Sequence, residues 1–155
     1  MWGKPGCLAQ MVAAYEKVGG NIICAQDVPR EKTSSYGIIT PGAVDGPLTE
    51  VKGLVEKPKP EVALSTLGVV GRYILQPEVM RILDTQEKGA GGEIQLTDAM
   101  AALIGQQPFH GLIVDAVRYD CGDKAGFITA NIALALERED VGPTVRAFLA
   151  DLQAG

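Results

Sequence analysis

Leu54-Val-Glu-Lys-Pro-Lys-Pro60 ends an apolar run on a carboxylate, an ammonium and two prolines. Leu48–Val55 is a β-prone stretch, and the turn signal Asp45-Gly46 separates it from Ile38–Ala43. The pattern predicts a β-hairpin whose second strand stops at Pro58, a residue with no N–H to give to a ladder. Adjacent residues of a strand point to opposite faces, so Glu56 and Lys57 can meet one ligand only if the backbone bends there. Pro58 is expected to supply the bend and to hold Lys57 extended. A carboxylate so placed can accept two sugar hydroxyls, and the nearby ammonium can neutralise the sugar's phosphate. The competing reading is a solvated, charged strand end.

Working outward, Ile22–Ala25 reads as a buried strand, Tyr36–Ile39 as a short one, and Gly68–Leu75 as a strand whose glycines permit close approach of another backbone. Pro5 is predicted at the first turn of a helix that buries Leu8, Met11, Val12 and Tyr15, spaced i, i+3, i+4, i+7, and ends at Gly19-Gly20. Pro77 starts a second helix with Val79, Ile82 and Leu83 inward. Leu96, Ala99, Met100, Leu103 and Ile104 form a third apolar stripe. Phe109–Val114 and Ala116–Tyr119 read as strands. Lys124–Arg138 is predicted as a helix using Phe127, Asn131 and Leu134, and a last helix carries Val145, Phe148, Leu149 and Leu152. Helices interleaved with β-rich runs predict a layered α/β domain with a mixed sheet, one domain over residues 1–155. Residues 140–155 form a terminal helix available for oligomerisation.

Two further blocks carry chemistry. In Arg118-Tyr-Asp-Cys-Gly-Asp-Lys124, Asp120 and Asp123 bracket a glycine at a strand end before a helix. Carboxylates there suit Mg²⁺, a hard ion that takes oxygen ligands and keeps waters beside a phosphate. Asp123 is also an apt helix N-cap, so the metal role goes to Asp120 and structural support to Asp123. Gly89-Ala-Gly-Gly-Glu-Ile-Gln-Leu-Thr-Asp98 is a glycine-rich turn entering a helix, without the spacing of a P-loop or a dinucleotide fingerprint. It is expected to wall a sugar pocket, with Glu93 holding neighbouring loops. Gly37, at a strand start, can turn backbone amides toward a sugar, although taken alone a turn or tight packing is the stronger reading.

Composition narrows the partners. The 155 residues are 46% hydrophobic and 21% charged, with net charge -5 and no basic run, which argues against nucleic acid. No apolar stretch approaches the ~20 residues that span a bilayer, and the N-terminus does not read as a signal peptide, so the expected compartment is the cytoplasm. Cys7, Cys24 and Cys121 lack C-x-x-C spacing and read as reduced, mostly buried thiols. His110, the single histidine, reads as structural within its strand.

Val55-Glu-Lys-Pro-Lys-Pro60, Val70-Gly-Arg-Tyr73, Gly91-Gly-Glu-Ile-Gln-Leu-Thr-Asp98 and Arg118-Tyr-Asp-Cys-Gly-Asp-Lys124, in that order, resemble the C-terminal half of the bacterial UTP–glucose-1-phosphate uridylyltransferases, which are sugar nucleotidyltransferases. The resemblance runs from about Lys4 to Gly142. It implies a nucleotide-diphospho-sugar transferase fold, Rossmann-like with a mixed sheet, truncated at the N-terminus. It implies formation of UDP-glucose and pyrophosphate from UTP and glucose 1-phosphate with Mg²⁺. By that resemblance Glu56 binds glucose hydroxyls, Lys57 the phosphate, Gly37 offers backbone, Val69 contacts the sugar and Asp120 ligates the metal. Lys57 and Asp120 are thereby the catalytic candidates. The family's Gly-x-Gly-Thr-Arg loop, uracil-reading segment and first metal aspartate have no counterpart in this sequence, so UTP is expected to bind through a missing N-terminal half. The resemblance also implies a homo-oligomer. It further leaves Ile22–Ala25 expected as an unpaired edge. The alternatives are an inactive sugar-phosphate-binding or assembly module, or a related transferase using another nucleotide.

Overall fold

Helix α1 (Cys7–Val18) enters the larger of two units, Gly3–Asp115, in a computed structural model that describes residues 1–89 and 92–154. Pro5 lies just ahead of the N-cap Gly6 rather than inside the helix. The buried face also differs from the expected one: Met11 and Ala14 are buried, whereas Leu8, Val12 and Tyr15 are exposed. Cys7, Met11, Ala14 and Val18 make a second stripe at i, i+4, i+7 and i+11, and β1 (Asn21–Asp27) selects that one, with Cys7 against Cys24.

The sheet closes on itself. With β2 (Gly37–Asp45), β3 (Leu48–Glu56), β4 (Leu67–Ile74) and β5 (Phe109–Ile113), the order around a closed barrel is β1-β4-β2-β3-β5. Only β1 and β5 run parallel; the other neighbours are antiparallel, so the predicted mixed pairing is present. The expectation of an unpaired edge at Ile22–Ala25 is corrected. Ile22 faces Ile74 on one side and His110 on the other, and Ala25 faces Val69 and Ile113. A strand paired on both sides and buried from Asn21 to Ala25 offers no template to another chain. Gly46, with φ 58°, supplies the positive φ that the tight turn between β2 and β3 requires. A 3₁₀ turn, Arg30–Ser35, carries the chain from β1 to β2.

Ile23, Ile39, Val51, Leu54 and Val69 fill the core together with Val79 of α2 (Glu78–Thr85) and Ala99, Met100 and Leu103 of α3 (Leu96–Leu103). These two helices use the predicted faces, because each has a single apolar stripe to bury. Fully buried Asn21 joins three segments: its amide donates to Gln107 Oε1 at 3.0 Å and to the Pro108 carbonyl at 3.3 Å, and its Oδ1 accepts from the Gln76 N–H at 2.8 Å.

The smaller unit comprises Met1–Trp2 and Ala116–Gly155, where the sequence reading had one domain throughout. Ala116–Tyr119 forms no strand; Val117 makes an isolated antiparallel bridge with Trp2. Helices α4 (Lys124–Leu136) and α5 (Gly142–Ala154) pack together, with the Arg146 guanidinium donating to the Leu136 carbonyl at 2.8 Å. Phe127, Ile128, Phe148 and Leu152, expected in part as inward positions, are exposed. No helix among the described residues is long and apolar enough to cross a membrane.

Candidate functional site

The hairpin register sets Gly37 opposite Glu56, so a residue without a side chain faces the carboxylate directly. A Cβ on Gly37 would lie 3.1 Å from Glu56 Oε2, tighter than ordinary van der Waals contact. Beyond Glu56 the chain bends, as anticipated, but not by an extended residue. Lys57 has φ 47°, the one non-glycine with positive φ among the described residues. Its N–H donates to the Tyr36 carbonyl at 3.0 Å, which holds it in that conformation. The left-handed turn breaks the alternation of the strand and brings both side chains to one side, with Lys57 Nζ 3.6 Å from Glu56 Oε1. Lys57 is largely exposed and Glu56 mostly covered.

Helix α3 contributes a residue that the sequence reading passed over. Thr97, 7% exposed, donates its hydroxyl to Glu56 Oε2 at 2.7 Å. It stands in the first turn of the helix that follows the glycine-rich block; a hydroxyl there was the only signal, and in isolation it reads as a helix-start residue. Half-buried Tyr73 of β4 lies near enough to feel the same carboxylate. Burial first, and the negative charge of Glu56 second, hold its phenol above the ordinary value.

The remaining candidates divide. Val69 is buried in the hydrophobic core, paired across the sheet with Ala25. Glu93 is exposed, and its carboxylate accepts from Gln95 Nε2 at 3.4 Å within the same loop; its carbonyl accepts from the Gly89 N–H at 2.9 Å. Ala90 and Gly91 of the glycine-rich turn lie outside the described residues. In the smaller unit Asp123 is the N-cap of α4, its Oδ2 accepting from the Gly126 N–H at 2.9 Å. Asp120 Oδ2 accepts from Arg118 Nη2 at 3.0 Å, and Oδ1 from the Gly122 N–H at 3.1 Å. Asp120 is exposed, and each of its oxygens keeps a further lone pair. No cluster of three metal-ligating side chains occurs among the described residues. A divalent ion at Asp120 would therefore take one carboxylate from the described residues and need water or phosphate oxygens for the rest of its shell.

A cavity of about 760 Å³ lies at the opposite end of β3, lined by Asp45, Leu48, Glu50, Lys52, Phe109 and His110 among others. It contains none of the candidate residues. His110 sits in β5 as a strand residue, its Nδ1 buried. Of the thiols, Cys24 is buried, Cys7 half-buried and Cys121 exposed, which corrects the expectation for the last.

The strand end thus joins a mostly covered carboxylate to an exposed ammonium on a five-stranded barrel. The chain belongs to the nucleotidyl transferase family, whose model matches residues 5–137. Its relatives narrow the group. It is 55% identical over 121 residues to a UTP–glucose-1-phosphate uridylyltransferase of Komagataeibacter xylinus, covering 78% of this chain and 43% of that protein. It is 40% identical over 145 residues to the enzyme of that name from Staphylococcus epidermidis, covering 94% and 50%. A solved UDP-glucose pyrophosphorylase in complex with UDP-glucose superposes with TM-score 0.82 at 35% identity, over 89% of this chain and 53% of the other. The fold is thus that of an α/β nucleotidyltransferase, and the chain spans about half the length of the curated relatives it matches.

Proposed function

We propose that this chain supplies the sugar-phosphate-binding part of a UTP–glucose-1-phosphate uridylyltransferase. The observation that carries the reading is the bend at Lys57, which turns a carboxylate and an ammonium 3.6 Å apart to the same side of a strand end. Glu56 accepts hydroxyls of glucose, Lys57 meets the phosphate, and Gly37 keeps backbone close to the ring. Val69 contacts the sugar through the β4 backbone, its side chain being committed to the core. In the whole reaction a phosphate oxygen of glucose 1-phosphate attacks the α-phosphorus of UTP; the bond to pyrophosphate breaks, and UDP-glucose and pyrophosphate result. The protein's share is alignment and charge neutralisation. Asp120 would hold one position on Mg²⁺, which neutralises phosphate charge when bound. The compartment that fits this chemistry is the cytoplasm.

By itself the chain is expected to bind glucose 1-phosphate and to form no UDP-glucose. Calorimetric titration with glucose 1-phosphate tests the binding. Lys57→Ala should weaken it about tenfold or more, the size of a lost charge-assisted contact, and Lys59→Ala should leave it unchanged. Equal and small effects at the two lysines would show that the block is a solvated strand end. Pyrophosphate release by the purified chain with UTP, glucose 1-phosphate and Mg²⁺ would show a catalytic apparatus beyond the one proposed.

A further inference from the structure

Glu56 ends a strand, and its carboxylate is free to rotate about its side-chain torsions unless something holds it. Two features do. Gly37, directly opposite, admits the carboxylate to a space that any Cβ would crowd, 3.1 Å from Oε2 and 3.4 Å from Thr97 Oγ1. Thr97 then donates to Oε2 at 2.7 Å. The hydroxyl is itself fixed. Thr97 is 7% exposed and β-branched, and the helix behind it is anchored by Ala99, Met100 and Leu103 in the same core as Val51 and Leu54 of β3. The helix and the strand therefore share one core on either side of this hydrogen bond.

We infer that Thr97 is a positioning residue for the sugar site: it pins Oε2 of Glu56 so that Oε1, on the Lys57 side, is presented to a hydroxyl of the sugar phosphate. The inference rests on the reading of Glu56 and Lys57 as a sugar-phosphate site and adds the group that orients it. An ionised carboxylate accepts several hydrogen bonds, so fixing one oxygen from behind leaves the other a defined direction. Stereochemical discrimination between hexose phosphates needs that direction, because epimers differ only in where one hydroxyl points. Thr97 touches no substrate in this arrangement and acts through Glu56.

The test uses the chain with α-D-glucose 1-phosphate and its C4 epimer, α-D-galactose 1-phosphate, in four forms: wild type, Thr97→Val, Thr97→Ser and Glu56→Gln. Calorimetry gives affinity, and the ¹³C signal of the Glu56 carboxyl gives its hydrogen-bonding state without ligand. Thr97→Val, nearly isosteric, should weaken glucose 1-phosphate roughly tenfold and narrow the preference between epimers, with an unchanged melting temperature profile for the core. The Glu56 carboxyl signal should move in Thr97→Val and return in Thr97→Ser, together with the affinity. A Thr97→Val chain with wild-type affinity, selectivity and carboxyl signal overturns the inference, and so does a Thr97→Ser chain that recovers nothing. If Glu56→Gln binds as wild type, or no form binds, the sugar-phosphate reading itself fails; the carboxyl signal then still decides whether Thr97 orients Glu56.

Discussion

Lys57 is the one non-glycine residue with positive φ among the described residues. Left-handed backbone costs an L-residue with a Cβ about 1–2 kcal/mol, and only glycine is exempt. A lysine held at φ 47° by the Tyr36 carbonyl therefore reflects a requirement on the side chain, in a place where the backbone alone would favour glycine. Lys57→Gly is expected to be more stable than Lys57→Ala by about 0.5–1 kcal/mol, after allowing for glycine's larger unfolded-state entropy. Urea denaturation of the two variants measures it; an alanine variant at least as stable as the glycine one would mean that the turn is not strained. Cys24 makes a second residue-scale case. Burial, and then Cys7 with its Sγ 3.8 Å away, push the Cys24 thiol up to about 12 from 9.0. The folded chain thus holds that proton where the unfolded chain releases it, so this contribution is present below about pH 9 and is lost as pH rises toward 12. Iodoacetamide at neutral pH should modify exposed Cys121 first and Cys24 last, as read by peptide mass spectrometry. Early labelling of Cys24 would show that β1 opens readily.

At the scale of elements, the barrel depends on how β1 is introduced between β4 and β5. Gly20 at φ 70° turns the chain out of α1, and a Cβ there would meet the Pro108 carbonyl oxygen at 2.5 Å. Asn21 follows and ties the Gln76 N–H and the Gln107–Pro108 segment to the start of the strand. Asn21→Ala leaves the half-buried Gln76 N–H without its acceptor, and should cost about 1–3 kcal/mol with little change in the ends of β2 and β3. Thermal melts with hydrogen exchange of β1 amides test this; a loss below about 0.5 kcal/mol would place the closure of the barrel elsewhere. The hairpin, α2 and α3 were legible in the sequence because a turn signal and single apolar stripes leave one solution. Helix α1 was not. It is apolar on two stripes, and only the surface of β1 selects between Met11 with Ala14 and Leu8 with Val12 and Tyr15.

For the whole molecule, exposed apolar residues occur on strands and loops as well as helices, and on helices they include Leu8, Val12 and Tyr15 in one unit and Phe127, Ile128, Phe148 and Leu152 in the other. Edge pairing is removed as a route to assembly, since β1 is paired on both sides. The α4–α5 pair exposes four large apolar side chains, Phe127, Ile128, Phe148 and Leu152, and such side chains favour association. A dimer in solution is therefore proposed. Static light scattering across a dilution series should show it, and Phe148→Glu should shift the distribution to monomer while leaving the melting of the barrel unit in place. A monomer at high micromolar concentration, unchanged by that substitution, would remove α5 as a contact.

The order of chemistry-bearing blocks, the hairpin leading to Glu56 and Lys57, and the cap at Asp123 were determined by the sequence itself. Each depends on neighbours in the chain: a proline that ends a ladder, a glycine that permits a turn, a carboxylate within reach of the next helical amides. Tertiary structure decided the rest. Gly37 meets Glu56 because of a strand register, and Thr97 meets Glu56 from a helix 41 residues further on. Closure of the sheet, which paired the expected edge at Ile22–Ala25, depends on β5 returning alongside β1 from nearly ninety positions away. Such contacts are chosen by packing among distant segments, and local periodicity carries no record of that choice.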